Sequence, residues 1–270
     1  TPDSNPTNNT STVTTTVFNQ PGTSFPTGIT PLAAPFGVLP VTSKVQLFSF
    51  DPAPYISPVL RGQMTFVSGT YETLLGRAPT YNELMAAVAQ LQAGVSTTTI
   101  ATTLWNSDAH RAQQAGALYE TFLGRSPTAA ELASAVKALQ SGTSEINFSL
   151  SLVNSAEYQA SHPTANTMVA GLYVNILNRT PDAATQLQAV SALANQTVNS
   201  FALSLINSTE GLSTIVNDAW LAILRRPATA TEIQSWVAQL QSNQVSFDQM
   251  QIDLLTSVEF YQLAATSTKG

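Results

Sequence analysis

The chain has 270 residues, 43% of them hydrophobic but only 10% charged, with a net charge of −6 and no cysteine. The lack of cysteine excludes disulfides and thiolate zinc sites. Ten lysines and arginines against sixteen acids supply no basic stripe for nucleic acid or an anionic membrane surface, and no apolar run reaches the roughly 18 residues that a membrane-spanning helix needs.

A typical globular protein is about one-quarter charged, so the polar surface here must come from Thr, Ser, Asn and Gln. Such a surface has little charge repulsion to keep copies apart and favours close packing between molecules. That composition points to an exported structural protein. The first residues, Thr1-Pro2-Asp3, read as a processed mature chain or a trimmed one.

Residues 1–62 read as an extended arm rich in Thr, Ser, Asn and Pro. Prolines recur at 21, 26, 31, 35, 40, 52, 54 and 58, a density that forbids helix and favours extended backbone. Between them lie two short β-prone pieces, one carrying Val13, Val17 and Phe18, the other Val45, Leu47, Phe48 and Phe50. These residues are the candidates for subunit contacts, either as short edge strands or as segments docked on a helical surface. The competing reading is a disordered linker; an arm with no core of its own is ordered only where a helical body or a neighbouring subunit holds it.

Helical periodicity begins at residue 63, and one pattern occurs four times. Its copies are Tyr71-Glu-Thr-Leu-Leu-Gly76-Arg77-Ala-Pro79, Tyr119-Glu-Thr-Phe-Leu-Gly124-Arg125-Ser-Pro127, Tyr173-Val-Asn-Ile-Leu-Asn-Arg179-Thr-Pro181 and Trp220-Leu-Ala-Ile-Leu-Arg-Arg226. The arginines are 48, 54 and 47 residues apart, and in the fourth copy the proline moves to Pro227. The expected fold is therefore all-α: four tandem three-helix repeats at 63–114, 115–165, 166–212 and 213–265, then a tail at 266–270.

In each repeat a first helix carries one apolar face, as in Val67, Tyr71, Leu74 and Leu75, or Val169, Tyr173, Ile176 and Leu177. Glycine before the arginine supplies a left-handed cap, and proline opens the next element. A second helix starts on a capping box, Thr80 with Glu83, Thr128 with Glu131 and Thr229 with Glu232, with Asp182 standing in for it in the third copy. Its expected core stripe is Leu84, Val88, Leu91; Leu132, Val136, Leu139; Leu187, Val190, Leu193; and Ile233, Val237, Leu240. This helix stops at Gly94, Gly142, Gln196 and Asn243. A third helix, with Ile100 and Leu104 or Phe148 and Leu152, closes on an Asn-Ser or Thr-Ser step. Copies two and four then run on through Glu157-Tyr158-Gln159 and Glu259-Phe260-Tyr261-Gln262.

The pattern of Tyr119, Leu123-Gly124-Arg125 and Pro127, a capped helix, then Ser155-Ala-Glu157-Tyr158-Gln159, resembles a small helical domain of exported bacterial proteins. That domain has no assigned activity and occurs in S-layer, RTX-type and other cell-surface proteins. It is also distantly similar to the linker domain of phycobilisome rod proteins, an assembly module. The resemblance covers about residues 63–265. Only Asp182 keeps the acid which that family places after the proline, and only Trp236 keeps an aromatic in the second helix. The resemblance implies surface location and assembly, with no chemistry.

The repeat arginines invite a role in binding an anionic sugar. Against it stands a structural role at a helix C-terminus, where the charge offsets the dipole and the fork bonds carbonyls or the carboxylates of the capping box or the Ser-x-Glu step. His110 and His162 are the only histidines and are read as lying outside any repeated position; no nucleophile elbow, calcium loop or metal-ligand spacing accompanies them. Tyr71, Tyr119, Tyr173 and Trp220 read as core residues. The sequons at Asn9, Asn195 and Asn207 read as accidents of composition. The expected function is that of a non-enzymatic, cofactor-free subunit of an extracellular filament, sheath or surface layer, partnered by copies of itself. The alternative is a cell-surface binding module or adhesin for surface polysaccharide. The repeats could stack as a superhelix or pair as two lobes, with the longer second spacing as a seam.

Overall fold

A computed structural model describes residues 57–267 together with a short strand pair in the N-terminal arm. In the arm, β1 (Val13–Thr14) pairs antiparallel with β2 (Gln46–Leu47), Val13 opposite Leu47 and Thr14 opposite Gln46. Val17, Phe18, Val45, Phe48 and Phe50, also expected to make contacts, lie outside the described residues.

The second compact unit begins at Pro58, and among the described residues it is entirely helical. Its first seven helices are α1 (Pro58–Leu75), α2 (Tyr81–Gln92), α3 (Thr97–Trp105), α4 (Asp108–Leu123), α5 (Ala129–Gln140), α6 (Glu145–Val153) and α7 (Ala156–Ser161). Seven more follow: α8 (Ala165–Leu177), α9 (Ala183–Leu193), α10 (Val198–Ile206), α11 (Thr209–Leu224), α12 (Ala230–Gln241), α13 (Phe247–Leu255) and α14 (Val258–Ser267). The helix starts five residues earlier than the periodicity suggests, because Pro58 occupies its first position, where the missing N–H costs nothing and the fixed φ is already helical. The expected boundaries at 114 and 212 fall inside α4 and α11, each a single 16-residue helix that ends one repeat and begins the next.

Local chemistry accounts for nearly every helix end. The capping boxes at Thr80, Thr128 and Thr229 form in full, and Asp182 caps α9 through the Thr185 N–H. Ser96, Ser144, Thr197 and Ser246 cap α3, α6, α10 and α13, while Ser107, Ser155 and Ser208 cap α4, α7 and α11. Each of these oxygens accepts one of the four N–H groups that a helix start leaves unpaired.

The first helix of each repeat ends on a left-handed residue: Gly76 (φ 63°), Gly124 (φ 65°), Asn178 (φ 53°) and Arg225 (φ 58°). A side chain with a Cβ is strained there. Arg225→Gly is accordingly expected to raise stability by about 1 kcal/mol, measured as a higher urea midpoint with an unchanged slope.

The apolar faces merge into two cores. One draws Phe66, Val88 and Trp105 of α1–α3 together with Val216, Trp220, Leu255 and Phe260 of α11–α14. The other draws Tyr119, Leu139 and Tyr158 of α4–α7 together with Leu172, Ile176 and Phe201 of α8–α10. The second and third repeats thus share a core, so the seam suggested by the longer spacing does not lie between them. The extra six residues of that spacing (54 against 48) instead break one long helix into α7 and α8 at His162-Pro163, where the proline ring stops the helix.

One expected core position is corrected. Leu187 is 72% exposed, and Gln186 takes the inward place, its Nε2 donating to the Asn166 carbonyl at 2.9 Å. Counting from the N-cap, Gln186 stands four residues after Asp182 as Leu84 stands four after Thr80. Val190 and Leu193 keep the register expected of them, eight and eleven residues after the cap as Val88 and Leu91 are after Thr80.

Candidate functional site

The recurring cluster is built around the four arginines. The left-handed residue turns the chain out of the first helix and delivers the next residue, arginine, over the start of the second helix. Arg125 then donates from Nη1 and Nη2 to Glu131 at 3.0 and 2.8 Å, and from Nε and Nη2 to Glu157 at 2.6 and 2.7 Å. Nη1 also donates to the Ser126 carbonyl at 3.1 Å. Arg226 repeats this with Glu232, Glu259 and the Pro227 carbonyl. One carboxylate therefore comes from the capping box and the other from the helix that opens 31 to 33 residues later.

The other two copies each keep half of the arrangement. Arg77 donates to Glu83 at 2.9 and 2.8 Å, and Ala109 stands where a second carboxylate would be, 32 residues on as Glu157 is from Arg125. Arg179 donates to Glu210 alone, because the third repeat has Asp182 and Thr185 in place of the capping box. Three of the guanidinium groups also lie over their repeat's tyrosine, at 5.5 Å for Tyr71, 5.4 Å for Tyr119 and 5.1 Å for Tyr173. In the fourth repeat Trp220 packs edge-on against Trp236 instead.

The capping glutamates do two jobs. Thr128 N–H donates to Glu131 Oε2 at 2.7 Å while the same carboxylate receives Arg125. These bonds, the arginine's first and the threonine N–H second, hold Glu83 and Glu131 at about 2 and push Glu232 far below the ordinary range. Every repeat arginine is thus neutralised by at least one carboxylate. The Arg77 and Arg179 pairs balance in charge while the Arg125 and Arg226 clusters carry one excess negative charge each, and those two clusters tie the end of α4 to the starts of α5 and α7 and the end of α11 to the starts of α12 and α14.

A second polar cluster, not foreseen from sequence, lies where the two cores meet. Arg111 of α4 is 3% exposed. It donates to Asp248 Oδ2 of α13 at 2.9 Å, to Asn106 Oδ1 at 2.7 Å and to Gln114 Oε1 at 2.8 Å, and lies 5.7 Å from the Trp105 ring. Half-buried Glu145 of α6 stands beside this pair. Burial first, then the charge of Asp248, push its carboxyl up to about 7. Glu145 lines two cavities, one of about 370 Å³ shared with Phe122, Ile176 and Asp218, the other of about 450 Å³ shared with Arg111 and Asp248. Burial also raises Asp218, which accepts a bond from Asn178 Nδ2 at 3.1 Å.

These shifts have opposite consequences with pH. Glu83 and Glu131 titrate below their unfolded value, so their stabilisation is complete above pH 4.5 and is lost as pH falls towards 2. Glu145 titrates above it, so the folded protein takes the proton first and stability rises as pH falls from 7 towards 4.5. Asp218, raised by burial, adds to that rise, and His110, lowered by burial, opposes it because the unfolded chain takes that proton first. Glu145→Gln is therefore expected to have a higher thermal midpoint than the wild type at pH 7, by a margin that shrinks as pH falls towards 4.5, while the acid limb below that is the same in both.

The two histidines are held apart. His110 Nδ1 lies 3.0 Å from the Leu74 carbonyl, its ring 4.5 Å from Trp105, and burial lowers its pKa. It is the third residue after the Ser107 cap, the place of Tyr158, Gly211 and Phe260 in the other repeats, so it does belong to the repeat. His162 Nδ1 lies 2.9 Å from the Tyr158 carbonyl and 3.0 Å from Ser161 Oγ. Among the described residues no three His, Asp or Glu side chains converge as a metal site, and no helix is long and apolar enough to cross a membrane. No family model, curated protein or solved structure matches this chain.

Proposed function

We propose that this chain is a non-catalytic structural subunit of an extracellular assembly, a filament, sheath or surface layer. In this reading four helical repeats supply the body and residues 1–57 reach across to neighbouring subunits. The observation that carries it is that the recurring polar residues satisfy one another: each of the four arginines closes on its capping glutamate, on a glutamate at the start of a later helix, or, for Arg125 and Arg226, on both. Such a motif holds a scaffold and leaves no convergent reactive groups. The sparsely charged surface, read from composition, supports close packing of copies, and the resemblance to exported surface domains supports the location.

A polysaccharide-binding module would need unpaired cations or exposed aromatic platforms at recurring positions. The recurring arginines are neutralised, and Tyr119, Tyr173 and Trp220 are 8%, 8% and 2% exposed. The assembly reading is therefore preferred.

The test is negative-stain microscopy of the full chain beside a chain lacking residues 1–56. Ordered assemblies are expected from the full chain only, with the helical circular dichroism of both intact. Equal assembly by the shortened chain would remove the arm from the mechanism.

A further inference from the structure

The two sets of helices, α1–α7 and α8–α14, repeat each other with a shift of 101 or 102 residues: Tyr71 and Tyr173, Arg125 and Arg226, Phe148 and Met250 are equivalent. The cores do not follow the sets. Each core takes α1–α3 or α4–α7 from the first set and the complementary helices from the second. The sets are joined covalently only through His162, Pro163 and Thr164.

Two junctions in this arrangement press on a glycine at the same place. At the covalent one, His162 in the link and Tyr158 of α7 close on α8: a Cβ at Gly171 would lie 2.4 Å from His162 Nε2 and 3.0 Å from the Tyr158 hydroxyl. At the other, α14 lies on α1: a Cβ at Gly69 would lie 2.6 Å from the Ala264 Cβ, and Phe260 meets Phe66 edge-on at 6.5 Å. Gly69 and Gly171 each stand two residues before the tyrosine of their repeat. In α4 and α11, which run straight through the same point, those places hold Ala117 and Asp218. The contact of α14 with α1 is thus built as a repeat-to-repeat joint, but no peptide link holds it within one chain.

We propose that this joint is an interaction surface for a second copy of this chain: α14 of one molecule seats on α1 of another, and the halves 58–161 and 165–267 exchange about the His162-Pro163 hinge. The contacts between the two halves outside residues 162–164 are then remade between two chains, which is the condition for exchange at low free-energy cost. This deepens the assembly reading by naming a contact separate from the arm.

The test uses the full chain carrying Gly69→Cys and Ala264→Cys. It has no other cysteine, so a disulfide reports which α1 meets which α14; the helices need ease apart by only about 1 Å to reach disulfide geometry. Removing residues 159–164 restores the 12-residue spacing from serine cap to aromatic seen in Ser107 to Tyr119, fusing α7 and α8 into one helix that cannot fold back. On a non-reducing denaturing gel the intact chain is expected to be cross-linked within itself, and the shortened one mainly between chains. An intrachain bond in the shortened chain overturns the proposal. Because the deletion could impair folding, isotopically light and heavy intact double-cysteine chains are also unfolded, mixed, refolded at high concentration and oxidised. Covalent light–heavy dimers support exchange, and intrachain bonds at every concentration refute it. Association through the arm leaves α14 on its own α1, so failure of the arm mechanism and failure of exchange give different results.

Discussion

Arg111→Leu is expected to lower stability by about 2 kcal/mol, and adding Asp248→Ile should restore most or all of it. The single change leaves Asp248 without its cation, beside Glu145, and strips the donor from Asn106 and Gln114. Breaking a fully buried pair costs roughly 3–5 kcal/mol, while replacing both partners with packed apolar groups is often neutral or stabilising. The lower figure is used because the Asp248 side chain is 33% exposed and partly screened. The equivalent place, where α11 of the second set meets α6 of the first, already contains the apolar version. Shifted by 101 or 102 residues, Arg111, Gln114 and Asp248 correspond to Leu212, Ile215 and, in the other direction, Ile146, and all three of those pack in or against a core. Denaturant titration of the two single variants and the double variant closes the cycle. A double variant no better than the worse single one would show that the ionic cluster does more than fill its site.

Phe66→Ala should cost about 3–5 kcal/mol, the range for emptying a buried aromatic site. Phe66 is fully buried and is held between Phe260, edge-on at 6.5 Å, and Tyr261, stacked at 5.2 Å. Its loss strikes the one joint that lacks a peptide link. Amide exchange of residues 258–264 should therefore accelerate more than the global stability change requires. At the equivalent Met168, truncation to alanine should cost a similar amount of stability without selectively loosening α7, which the chain ties to α8. If residues 258–264 exchange no faster than the rest of the variant, α14 is bound by more than this joint.

The local grammar of the fold was legible in sequence. Threonine three residues before glutamate, glycine before arginine and proline after it are short-range signals whose physics is complete within one turn, and they give the ends of α2, α5 and α12 directly. The partners offered for the arginines were also within reach, since Glu83 and Glu131 sit six residues from Arg77 and Arg125. The stripe through Leu187 failed because the third repeat starts on Asp182 with no glutamate to fix the count, and two adjacent residues then compete for the inward place. Arg111 and Asp248 are 137 residues apart, and nothing in either one's neighbourhood announces the other. The weak signal was an arginine on the inward side of α4, in a helix otherwise patterned for a core. The crossing of the two halves into shared cores was equally hidden, because it depends on α14 meeting α1, a choice that tertiary packing alone makes.

Self-association, the role proposed for this chain, is read from sedimentation velocity of the full chain over a concentration series. Growth from a single-chain species into large, regular oligomers is expected as concentration rises, with no ligand added. A single-chain boundary that stays unchanged up to the solubility limit would contradict it.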